Sequence, residues 1–261
     1  LANVEVAYTS TAALSGAAFR QLMSEAGIAR YNADDGASQL QSTAFDETAT
    51  GPLRLIEQSE QGAVYVDPEG FITFKGRHAV LTEARSNTSQ ATFGAGDLDY
   101  MTIELDYDSS MIRNDISLQR TGGTAQTATD ADSITAYGKR SHKVTGLMTS
   151  TDAVLNDLAT LMLSGYAEPA VRVKSITVAP MLNAALMTQA LSRSLRDRVT
   201  VQYQPPGGGA IISQEVFVSG ISHAMPSASL ITTTFTFEST TTAIGWVLGT
   251  SALGVDTVLA A

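Results

Sequence analysis

Three histidines, His78, His142 and His223, are the natural starting points for acid–base or metal chemistry in this chain. They lie far apart, and none has a second histidine or a carboxylate at ligand spacing. Each is expected to pack or hydrogen-bond, His223 at a strand end just past Gly220-Ile221. The densest carboxylates are Asp97, Asp99, Asp106 and Asp108, and Asp106-x-Asp108 resembles the opening of a calcium loop. The remaining positions of such a loop are absent. In an extended strand both carboxylates share one face while Tyr107 takes the other, so solvation or pairing with Arg113 and Lys139 is the expected role. Gly207-Gly208-Gly209 would cradle a phosphate only if it opened a helix after a strand. It follows Pro205-Pro206 between two alternating runs and reads as a hairpin tip.

The chain has no cysteine, so disulfides, thiolate metal sites and a cysteine nucleophile are all excluded. Neither a Gly-x-Ser-x-Gly elbow nor a His-Glu-x-x-His motif is present. Catalytic, cofactor-binding and metal-binding residues are therefore expected to be none. The net charge of −10, with Lys and Arg scattered, gives no basic face for counterion release from nucleic acid. Sequence-specific nucleic-acid binding is not expected. No run approaches the roughly 18 apolar residues needed for a membrane-spanning helix, and no signal peptide is evident. The chain begins at Leu1 rather than Met, so a preceding segment is an open expectation.

The elements that would position these residues are mostly short. Val4–Tyr8 reads as a strand, followed by a helix over 12–26 capped by Ser10 or Thr11 and ended by Gly27, with Leu14, Ala18, Phe19, Leu22 and Met23 on its apolar face. Pro52 suits the first turn of a helix running through Glu60. Ala63–Val66 and Phe71–Phe74 flank Asp67-Pro68-Glu69-Gly70, a turn in which Pro presets one angle and Gly closes the bend. Residues 82–96 are small and polar and read as a linker. Strands are expected near 98–106, 113–120, 133–138, 171–178, 197–204, 211–219 and 230–238, with helices near 152–166 and 182–194. Thr151 or Asp152 would cap the first of these helices, and Leu155, Leu158, Leu161 and Met162 would form its apolar face. The expected fold class is α+β, mostly antiparallel. A small α+β module of two helices and a β-hairpin (1–82) would lead through a linker (83–96) to a β-barrel domain with helical insertions (97–261).

Two stretches resemble a known family. Arg113-Asn114-Asp115 with the run Ile116–Gln119, then Ser133-Ile134-x-x-Tyr137-Gly138-Lys139-Arg140, is one. Asp197-Arg198-Val199-Thr200-Val201, the Pro205–Gly209 hairpin, and Ser213–Ile221 with His223 beyond it is the other. Together they resemble the tail-tip hub, or minor tail protein, of long non-contractile-tailed actinobacterial phages, similar in fold to the baseplate hub of contractile phages. Arg196 stands where that family more often has Gly, so the turn there is expected to differ.

The resemblance implies a non-enzymatic homotrimeric ring in the virion tail tip, assembled in the host cytoplasm. It would join the tail tube and distal tail protein to a central fibre or spike, contact the tape measure protein, and let DNA pass. The rival readings are a tail-associated cell-wall hydrolase or peptidase, and the hub of a bacterial injection or gene-transfer particle. The last stretch, Thr242–Ala261, carries Trp246, Val247, Leu248, Leu253, Val255 and Leu259 with Asp256 as its one charge. It resembles the family's Trp-Val-Leu-Gly ending and is a candidate subunit interface, or else a terminal hairpin closing the barrel.

Overall fold

The structure, a computed structural model, describes residues 3–94, 96, 98–106, 112–168, 172–205, 207–227 and 230–240. The chain opens with β1 (Glu5–Thr9), β2 (Ala13–Leu14), α1 (Ser15–Glu25), β3 (Tyr31–Ala33), β4 (Gln39–Leu40), β5 (Ala44–Thr48) and α2 (Thr50–Glu60). Then follow β6 (Ala63–Val66), β7 (Ile72–Lys75), α3 (Ala79–Thr82), α4 (Ala84–Asn87), β8 (Thr92–Phe93) and β9 (Thr102–Asp106). The middle of the chain forms β10 (Asp115–Arg120), β11 (Gln126–Thr129), α5 (Ala131–Tyr137), β12 (Ser141–Leu147) and α6 (Asp152–Tyr166). It closes with β13 (Arg172–Val178), a 3-10 turn (Pro180–Leu182), α7 (Ala184–Ser192), β14 (Arg198–Tyr203), β15 (Ile212–Ser227) and β16 (Leu230–Ser239).

These elements pack as two compact units that interleave along the sequence: Leu1–Ala79 with Ser109–Pro169, and Val80–Asp108 with Ala170–Ala261. The linear division expected at 82 and 97 therefore does not describe the packing. Residues 83–96 are not a free linker either. They supply α4 and β8, and β8 joins the sheet of the second unit beside β14.

In the first unit, Ala18, Phe19, Leu22 and Met23 of α1 are fully buried, as the 3.6-residue spacing requires. Leu14 is 39% exposed because it lies at the helix N-cap, outside that face. Phe19 stacks on Phe74 of β7 with centroids 5.3 Å apart and meets Tyr31 edge-on at 6.0 Å. No side chain caps α1, whereas Gly27 ends it at φ +67°. The hairpin β6–β7 is antiparallel, its turn closed by Asp67 N–H to Phe71 O (3.0 Å) and Gly70 N–H to Asp67 O (2.9 Å).

A second cluster in the same unit joins Ile116 and Leu118 of β10 and Leu147 of β12 to Leu155, Leu158 and Ala159 of α6. Here one expected element is overturned: residues 131–137 are a helix, not a strand. Asp130 caps it by accepting the Ser133 N–H at 2.9 Å, and Gly138 ends it at φ +76°. The true partners of β10 are β11, antiparallel, and β12, parallel. Asp152 opens α6 but spends its carboxylate on Arg120 Nε (2.6 Å) and Thr124 Oγ1 (2.8 Å).

The second unit is a six-stranded sheet in the order β8-β14-β15-β16-β13-β9. It curls into a half-barrel, in keeping with the α+β, mostly antiparallel fold expected from the strand pattern. In β14, Val199, Val201 and Tyr203 are buried and alternate with partly exposed residues, the period-two pattern of a one-sided strand. They pack with Phe93, Val173, Ile176, Val178, Val218 and Phe235, and α7 contributes Leu186. The run Gly207–Gly209 joins β14 to β15, each glycine at positive φ, as a hairpin tip requires.

Candidate functional site

The residues singled out for chemistry are dispersed. Among the described residues no group of three or more His, Asp and Glu is placed to hold a metal ion. His223 Nδ1 lies 2.9 Å from Thr233 Oγ1 across β15 and β16, a cross-strand structural contact. Burial, and then the neighbouring Arg113, hold His142 below its ordinary pKa. Burial and then Arg77 do the same for His78, against a smaller opposing pull from Glu60. Of the carboxylate cluster, Asp97 and Asp108 lie outside the described residues, and Asp106 sits at the end of β9 opposite Arg172. The expected partner Lys139 pairs instead with Asp115 at 3.1 Å, because α5 delivers it to the start of β10. Asp34 and Asp35 are each matched by a cation, Lys75 at 3.5 Å and Arg20 at 2.8 Å.

Two buried carboxylates, Glu60 and Asp197, carry no local sequence signal. Glu60 at the end of α2 is fully buried and accepts from Ser15 Oγ (2.8 Å), Ser38 N–H (2.7 Å), Ala37 N–H (3.0 Å) and Arg77 N–H (3.1 Å). Burial pushes its pKa up, but these hydrogen bonds and Arg77 outweigh it, and the carboxyl ends below its ordinary value. Asp197, 1% exposed, is gripped by Arg85 through Nε (2.7 Å) and Nη2 (2.6 Å), with Arg193 at 3.4 Å and the Ser194 N–H at 3.0 Å. Both carboxylates tie distant segments together, and no local sequence pattern links Ser15 to Glu60 or Arg85 to Asp197.

Beside Asp197, Arg196 adopts φ +70°, the left-handed conformation that glycine takes most easily. Its N–H donates to Val218 O at 2.8 Å, and its guanidinium lies 5.4 Å from the Phe217 ring centroid. The turn at this position thus keeps the glycine-like backbone while carrying a side chain.

A cleft of about 450 Å³ in the second unit is lined by Gly94, Asp99, Tyr100, Gln202, Tyr203, Gln204 and Ile211. Tyr100 Oη donates to Gln202 O at 3.1 Å, and burial followed by Asp99 raises its pKa. Its described lining offers no histidine or serine that could form a nucleophile–base pair. Exposed apolar side chains are concentrated on the second unit, where Leu191 (76%), Leu182 (73%), Met225 (66%) and Ile211 (62%) stand out. The candidate interface residues Trp246, Val247, Leu248, Leu253, Val255 and Leu259 lie outside the described residues.

The fold is thus α+β with a curled six-stranded half-barrel, and it is shared with solved structures. A tail protein from Neisseria meningitidis MC58 is similar over 92% of this chain and 71% of its own, with TM-score 0.62 and 15% identity. The 43 kDa tail protein of prophage MuSo2 from Shewanella oneidensis is similar over 92% and 68%, with TM-score 0.56 and 11% identity. A chain of the virion of a native gene transfer agent particle is similar over 85% of this chain and 47% of its own, with TM-score 0.54 and 13% identity. At such identities the likeness is one of fold. No protein-family model matches the sequence, and none of the curated proteins is similar to it.

Proposed function

We propose that this chain is a structural component of a phage tail, a hub at the tail tip that works as a homotrimeric ring. The observation that carries the reading is the fold shared with the Neisseria tail protein over 92% of the chain. In this role the ring joins the tail tube and distal tail protein to a central fibre or spike, next to the tape measure protein. Closing a ring of identical chains needs a head-to-tail contact that returns on itself, and Trp246 with its aliphatic neighbours is one candidate for it. The charge of −10 fits a bore through which DNA passes without adhering, since a basic lining would hold phosphates through counterion release.

The likeness to a gene transfer agent chain supports a second reading, the same structural role in a gene-transfer particle rather than an infectious phage. Immunogold labelling of particles with antibody against the purified chain tests the reading. Label at the tail end distal to the head is expected. Label on the head, or on no particle, would overturn it.

A further inference from the structure

Strands β15 and β16 run past the sheet that contains them. β14 pairs with Ile212–Phe217 of β15, and Val218 is the last residue held from that side, by Arg196 and Asp197. On the other side β13 pairs with Thr233–Thr236 of β16. Beyond these limits, and among the described residues, Gly220–His223 pair with Thr233–Thr236 and have no strand on their other side, while Ala224–Ser227 and Leu230–Thr232 pair only with each other. The result is an arm with a free β15 edge that narrows to two strands from Ala224 onward. Every residue from Ser222 to Ser227 is exposed, Met225 to 66%.

Such an arm is poorly equipped to stand alone in water. A lone two-stranded ribbon is marginal, and an unpaired strand edge invites another strand. Proteins that keep such an edge free usually place charges or proline along it. Here no Asp, Glu, Lys or Arg occurs between Glu215 and Glu238, and proline enters β15 only at Pro226. At the same end of the sheet, the 3-10 turn that packs on β16 holds out Met181 (51% exposed) and Leu182 (73%).

We infer that this arm, the free β15 edge Gly220–Ser227 with its two-stranded tip, is a contact between copies of this chain, made by main-chain pairing along β15 and flanked by Met181 and Leu182. The inference rests on the ring reading proposed above. The occupant follows from charge. Each copy carries −10, so two copies repel wherever their charged surfaces meet and approach most easily where the surface is neutral. The arm is such a surface, and backbone pairing needs no charged anchor.

Two measurements on the full chain test it. The first is the mass in solution of the wild type and of Ala224→Asp/Met225→Asp, both exposed positions, with Val66→Asp in the first unit as a charge control. Like charges placed at a contact should raise the dissociation constant about tenfold or more, with circular dichroism and melting unchanged and the control like the wild type. The second uses the absence of cysteine. Benzophenone maleimide attached to Met225→Cys should photo-crosslink one copy to another. A wild-type oligomer that both arm variants leave unchanged in mass and uncrosslinked would overturn the arm and leave the ring reading standing. A wild type that stays monomeric at every concentration would overturn both.

Discussion

Asn114 and Ser133 are joined by a buried hydrogen bond, Asn114 Nδ2 to Ser133 Oγ at 3.1 Å, and neither side chain reaches solvent. The same amide donates to Gly138 O at 2.9 Å and accepts the Arg140 N–H at 2.7 Å, while Ser133 Oγ donates to Ala167 O at 2.5 Å. One side chain thereby fixes both ends of α5 against the start of β10, and the serine ties α5 to the end of α6. The motif that carried the family resemblance is, physically, this lock.

Asn114→Ala leaves the Arg140 N–H and Gly138 carbonyl without these partners and should cost about 1–3 kcal/mol. Ser133→Ala should cost less, and the double variant less than the sum, with a coupling of at least about 0.5 kcal/mol. Urea denaturation of the four proteins measures this, and strictly additive losses would contradict the lock.

Glu60 predicts an acid-labile fold. Its carboxyl lies below the ordinary value of 4.5 in the folded chain, so the unfolded chain binds the proton first. That stability is complete above about pH 4.5 and drains away as pH falls through the folded value. His142, held below 6.5, acts in the same direction but starts nearer neutrality. Melting temperature should therefore decline on acidification in two stages. Glu60→Gln should lose about 1–3 kcal/mol at pH 7 and flatten the lower stage, whereas an unchanged slope below pH 4.5 would show that Glu60 is not its source.

Leu158 on α6 is 3% exposed and packs with Ile116, Leu118 and Leu155. Truncation to Ala should cost roughly 2–5 kcal/mol. Calorimetry that finds no change in melting would place the helix outside the core.

Elements that depend on neighbouring residues were legible in the sequence. The Asp67–Gly70 turn fixes its hairpin, the alternation in Val199–Tyr203 marks a half-buried strand, and Leu155 and Leu158 announce the inward face of α6. Residues 131–137 misled because Ser133, Ile134 and Tyr137 fit a short strand as well as a short helix, and the Asp130 cap and the Asn114 lock decided the outcome. The α+β class and the curled antiparallel sheet were legible too, because regular strand spacing with two inserted helices fits a curved sheet. Glu60 and Asp197 could not be found from the sequence, since their partners are brought in by tertiary folding. The neutral stretch between Glu215 and Glu238 was visible as composition, but its meaning needed the register that shows β15 and β16 outrunning their neighbours.

The terminal stretch supplies a separate prediction. If Trp246 anchors a subunit contact, Trp246→Ala should lower the assembled fraction without changing circular dichroism, because interface aromatics contribute strongly to association. Truncation at Thr242 should do so further. Assembly that survives truncation would remove this stretch from the interface.

The central claim is a ring of three chains, and the molar mass of this purified 261-residue chain, measured by light scattering across a concentration series, tests it most directly. The account predicts a species of about 82 kDa, three times the 27.4 kDa chain. A single species at the mass of one chain throughout the series would contradict it.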